Sequence, residues 1–163
     1  MDLISAYLLL NNPLAFFHYL KGKKWVEGED KLYFLVLTNN PAVATKHRNL
    51  KLVLVEGDVT AVYKRARDLV HKGHRLLTHP LSSSLKPGRI PYKTVVLTAK
   101  ADQTVDLDSL SYMAAALEAV GKSRAKPGFE LPAFVLDDYA AVDLSVFESA
   151  LDSLLTCTME PGY

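Results

Sequence analysis

Apolar positions along the chain fall into two kinds of run. Leu32–Leu37, Lys51–Val55, Arg75–Thr78 and Thr94–Thr98 are short and nearly continuous in apolar residues, the pattern of strands buried on both faces. Elsewhere the apolar residues recur at helical spacing: Val59, Val62, Ala66, Leu69 and Val70; Leu110, Met113, Ala114, Leu117 and Val120; Leu144, Phe147, Leu151, Leu154 and Leu155. Asp58 suits the N-cap of the first of these helices and Gly73 the position just past its end. Asp106 or Asp108 caps the second, Gly121 closes it, and the third begins near Asp143. A short helix starts at Pro41, and Ala133–Leu136 reads as extended. Alternation of strand and helix predicts an α/β fold, a three-layer sandwich around a small, mainly parallel sheet.

One connection breaks the alternation. From His79 to Lys93 the chain shows no helical pattern, although a parallel crossover needs about a dozen residues and is usually helical. The simplest alternative is that the strand at Thr94–Thr98 runs antiparallel, and the sequence leaves its direction open. Residues 1–31 stand apart as an apolar, helical extension, broken at Asn11-Asn12-Pro13, followed by a polar linker at Lys21–Lys31. The α/β domain is expected over residues 32–163. Phe16, Phe17, Tyr19 and Leu20 either pack on its flank or form a homodimer contact.

Composition narrows the function classes. The chain has 163 residues, 49% hydrophobic and 23% charged, as in a folded globular domain. A net charge of +1 argues against nucleic-acid binding. No apolar run approaches the roughly 20 residues needed to span a bilayer, and Asp2 stands where a signal peptide would carry basic residues. One cysteine, Cys157, excludes an intrachain disulfide and fits a cytoplasmic location. The charge is segregated: no acidic residue lies between Asp68 and Asp102, and no basic residue follows Lys126. The middle loop is either an anion-attracting surface or is neutralised by the acidic tail.

Ligands of open α/β sheets bind outside the carboxyl ends of the strands. Those ends are Thr38-Asn39-Asn40, the turn at Gly57 and Thr78-His79. An antiparallel strand at Thr94 brings Tyr92 and Lys93 to the same rim. With Ser82, Ser83 and Lys86 from the middle loop, these residues supply amides, hydroxyls and ammonium groups suited to a small anionic ligand. His79 is either a general base or a histidine bonded to backbone in a tight loop. His71-x2-His74-x4-His79 superficially resembles metal spacing, but Gly73 interrupts it and no carboxylate adjoins it, so no metal is expected. Ser82-Ser83-Ser84 lies outside any Gly-x-Ser-x-Gly elbow, and no phosphate-binding glycine loop is present. No cofactor is expected.

Thr38-Asn39-Asn40-Pro41, Glu56-Gly57, Arg67-Asp68, His71-x-Gly73-His74-x-Leu76-Leu77-Thr78-His79-Pro80-Leu81, Lys86-Pro87 and Pro91-Tyr92-Lys93 together resemble the GrdX family. Leu136-Asp137-Asp138-Tyr139 and Val142-Asp143-Leu144 are compatible with it, and the resemblance covers roughly residues 33–156. Ser82-Ser83-Ser84 departs from the glycine that usually follows Pro-Leu in the family. The resemblance implies an association with glycine, sarcosine and betaine reductase operons of amino-acid-fermenting anaerobes, and an acyl-phosphate or phosphate-like ligand. Three functions are compatible with the sequence. One is an accessory protein of such a reductase that binds a small anion. Another is a small hydrolase or transferase for acyl-phosphates or esters with His79 as base. The third is an interaction subunit, its partner a reductase component, using the N-terminal segment and acidic tail.

Overall fold

A computed structural model describes residues 34–83, 85–123 and 131–159. The expectations for residues 1–31 fall outside them. Three strands and four helices follow one another as β1 (Phe34–Thr38), α1 (Pro41–Lys46), β2 (Leu52–Leu54), α2 (Val59–His71), β3 (Thr94–Thr98), α3 (Leu107–Ser123) and α4 (Ala133–Met159).

The strand order is β2-β1-β3. β1 pairs in parallel with β2 and antiparallel with β3, whose register places Thr38 opposite Thr94. β3 takes the antiparallel alternative that the helix-free connection left open, and the sheet is mixed. All five residues of β1 are buried, and its alternating side chains divide two cores. Leu35 and Leu37, with Val95 and Leu97, pack against Val62, Tyr63 and Ala66 of α2 and Met113 and Ala116 of α3. Phe34, Val36 and Val96 pack against Val43 of α1 and Phe147, Leu151 and Leu154 of α4. The result is the expected three-layer α/β arrangement.

Three local expectations change. Residues 75–78 form a single antiparallel bridge, Leu76 to Leu97, instead of a strand. Side-chain oxygens replace much of the ladder there. The Thr78 hydroxyl accepts from Val96 N at 3.0 Å, Ser109 Oγ from Leu76 N at 2.9 Å, and Thr98 Oγ1 from Arg75 N at 3.0 Å. The Lys51–Val55 run is a three-residue edge strand with Leu54 55% exposed, not a strand buried on both faces. Finally, Ala133–Leu136 is the first turn of α4, not extended chain. Four apolar residues cannot separate strand from helix by period, and no glycine or proline occurs from 133 to 159 to stop the helix.

Helix ends match the sequence at Asp58 and Gly73, but Gly121 does not close its helix and the last helix begins at Ala133 rather than near Asp143. Asn40 Oδ1 accepts from Ala42 N ahead of Pro41, and Asp58 Oδ1 accepts from Ala61 N. Asp106, rather than Asp108, takes Ser109 N at the start of α3, which runs through Gly121 to Ser123. Gly73, at φ +97°, ends α2 in a Schellman turn: His74 N donates to Leu69 O and Gly73 N to Val70 O. A Cβ at Gly73 would lie 2.0 Å from the Asp102 carbonyl oxygen, so both conformation and space require glycine here.

Candidate ligand site

The rim is built outward from the Thr38–Thr94 pair. Their hydroxyls are 2.8 Å apart, and Thr38 Oγ1 also accepts from Asn40 N. Asn39 joins three segments: its amide nitrogen donates to Gly57 O at 3.0 Å and Pro91 O at 2.8 Å, and its oxygen accepts from Lys93 N at 2.8 Å. Gly57, at φ +111°, supplies the turn that aims its carbonyl at Asn39. Asn40, fully buried, donates to Ala140 O and to Asp143 Oδ2, both at 2.9 Å. These contacts occupy the polar groups of Thr38, Asn39 and Asn40 in holding the rim together.

Asp143 is the group that the sequence reading left out of the site. α4 carries it to the start of β3, where Thr94 N donates to Oδ1 at 2.9 Å and Thr94 Oγ1 to Oδ2 at 2.7 Å. With the Asn40 amide, three neutral donors hold this carboxylate. Its only signal in the sequence was the Val142-Asp143-Leu144 segment, placed in a helix with no indication of which loop the helix would meet.

Lys93 is 3% exposed. Its ammonium donates to Ser82 Oγ at 3.2 Å, and among the described residues no carboxylate lies within ion-pair distance. Burial lowers its pKa to about 8, against an opposing pull from Asp143. Most copies are therefore charged at neutral pH. A buried ammonium ordinarily has its donors filled, and among the described residues this one makes a single hydrogen bond.

A pocket of about 20 Å³ opens beside it, lined by Ser83, Leu85, Ile90, Tyr92, Lys93, Tyr139, Val142, Asp143 and Val146. That volume suits a water or the head of a small ligand, not a nucleotide. Of the expected site residues, Ser83, Tyr92 and Lys93 meet in the pocket, and Ser82 is bonded to Lys93 without lining it. Gly57 and Thr78 serve the backbone, Lys86 is exposed and lines no part of the pocket, and Ser84 lies outside the described residues. Tyr139 and the apolar wall of Leu85, Ile90, Val142 and Val146 were not anticipated.

His79 sits behind the rim, 5% exposed, with its ring centroid 5.1 Å from that of Tyr112. Its Nδ1 accepts from Leu81 N at 3.1 Å, which places the proton of the neutral ring on Nε2. Burial, reinforced by the charge of Lys93, lowers its pKa to about 4. The Tyr63 hydroxyl donates to Pro80 O at 2.6 Å and fixes the loop carrying it. A neutral imidazole whose lone pair takes a backbone N–H is a weak base, and this geometry matches the backbone-bonded alternative for His79.

Among the described residues no cluster of His, Cys, Asp and Glu could hold a metal ion, and no helix is long and apolar enough to cross a membrane. Fold and rim together define a small α/β protein with a strand-end pocket built around a buried lysine. The chain belongs to the GrdX family: the family model for GrdX-like protein matches residues 35–152, from β1 into α4. No curated protein and no solved structure matches the chain.

Proposed function

We propose that this GrdX-family chain is a cytoplasmic accessory protein of a glycine, sarcosine or betaine reductase system, and that it binds a small anionic ligand at the strand-end rim. The reductase association is what the family resemblance suggests. Ligand binding rests on one observation: Lys93 is buried, bonded to Ser82, and lines a pocket. An anionic head group would fill the remaining ammonium donors in a charge-assisted bond. Ser83, Tyr92 and Tyr139, which also line the pocket, would supply hydroxyls to orient it. Leu85, Ile90, Val142 and Val146 would cover an apolar portion, and the held carboxylate of Asp143 would disfavour a ligand bearing several charges.

Thermal unfolding with acetate, phosphate or acetyl phosphate, against chloride at matched ionic strength, tests the binding. A tenfold excess of ligand over Kd stabilises by about 1.4 kcal/mol, a shift of a few degrees for a domain of this size. The shift should vanish in Lys93→Met. Equal melting temperatures in every anion would refute the binding.

A further inference from the structure

The geometry points to a covalent role for Lys93: its side-chain amine forms a Schiff base with a small aldehyde or ketone that enters the pocket lined by Tyr92, Tyr139, Val142 and Asp143. This inference rests on the same pocket as the anion reading but uses the other protonation state of the lysine.

Four observations support it. Lys93 is 3% exposed and is one of the residues that line a cavity, so its side chain is sheltered from solvent beside that space. Its one hydrogen bond is to a neutral hydroxyl, Ser82 Oγ, at 3.2 Å, and no carboxylate grips it as an ion pair among the described residues. Desolvation favours the neutral amine, which is how proteins turn lysine into a nucleophile near neutral pH. The cavity of about 20 Å³ has room for little more than a water-sized group, so only the shortest carbonyl compounds are candidates. The surrounding groups also bear on the charge of the amine: Asp143 on α4 favours the cation, His79 is neutral near pH 7, and the Tyr92 and Tyr139 phenols line the same cavity.

The chemistry balances without any further reactant. The neutral amine adds to the carbonyl carbon, forming a C–N bond while a proton moves from nitrogen to oxygen. The carbinolamine then loses water to leave the C=N bond. Asp143 lies close enough for its charge to favour the protonated imine.

Acetaldehyde with cyanoborohydride tests this on the full chain, since the hydride converts the imine to a stable ethyl-lysine. Peptide mapping near pH 8 should place the first ethyl group on Lys93, at a rate at least about tenfold above exposed lysines such as Lys46 and Lys64. Val142→Trp, at a 46% exposed position on the pocket wall, should suppress that adduct and leave labelling elsewhere unchanged. Ethylation spread over exposed lysines with none at Lys93 would overturn the inference, as would unchanged Lys93 labelling in Val142→Trp. Anion binding is read separately by the melting shift, so one result can fail without the other.

Discussion

Lys93 and His79 show how one buried location can set two titrations. For His79 the folded pKa of about 4 lies below the ordinary 6.5. The stability of its neutral form is fully present above pH 6.5 and is lost as pH falls toward 4. A shift of that size corresponds to a loss on the order of 3 kcal/mol. His79→Asn keeps an acceptor for Leu81 N but cannot gain the proton. Urea titrations of this variant should therefore show a flatter decline between pH 6.5 and 4 than the parent; an identical decline would place the titration elsewhere. For Lys93 the folded pKa of about 8 also lies below the ordinary 10.5. The unfolded chain then binds more protons between those values, so stability attributable to Lys93 rises as pH climbs from 8 to 10.5. Lys93→Met should be more stable than the parent near pH 7 by on the order of 2 kcal/mol, and the difference should shrink toward pH 10.5. A difference independent of pH would contradict this. Neither shift could be read from the sequence. Burial of a lysine and a histidine depends on which helices cover the rim, and β-strand spacing places residues without saying what packs above them.

At the scale of the elements, the legible features were those written in local chemistry. Asn40 before Pro41, Asp58 before Val59 and Gly73 after Lys72 specify helix ends through their own backbone and side-chain atoms, and each does so in the structure. The helix-free connection before β3 made antiparallel pairing the simplest alternative without deciding it, and the structure has that pairing. Residues 75–78 and 133–136 were misjudged because short apolar runs carry no period. Their state is decided instead by partners distant in sequence, the hydroxyls of Thr98 and Ser109 for the first and the uninterrupted helix ahead for the second. Gly73→Ala tests the tightest of the local signals. It combines a left-handed backbone with a 2.0 Å encounter with the Asp102 carbonyl, and should lower stability by about 2–4 kcal/mol in denaturant titrations. A loss under about 1 kcal/mol would mean that the α2 turn adopts another conformation. Asn40→Ala should cost more than the roughly 1 kcal/mol of an ordinary N-cap, because the same side chain also holds Asp143 and Ala140 of α4.

Across the whole molecule, one buried strand with a core on each face carries the rim, and α4 folds back to close the rim with Asp143. The sequence named Ser83, Tyr92 and Lys93, which line one pocket in the structure. It could not show that Thr38, Asn39 and Asn40 are consumed in tying that rim together, since an amide beside a turn looks the same whether it binds a ligand or a neighbouring loop. Nor could it bring Tyr139 and Asp143 into the site from a helix some fifty residues after Lys93. The central claim, a buried ammonium awaiting an anionic partner, is tested most directly by following the Lys93 side chain by NMR in lysine-labelled protein, with and without saturating phosphate or acetate. Lys93 should titrate near pH 8 in the free protein and at a distinctly higher pH with the anion bound. A Lys93 titration that the anions leave unmoved would contradict the claim.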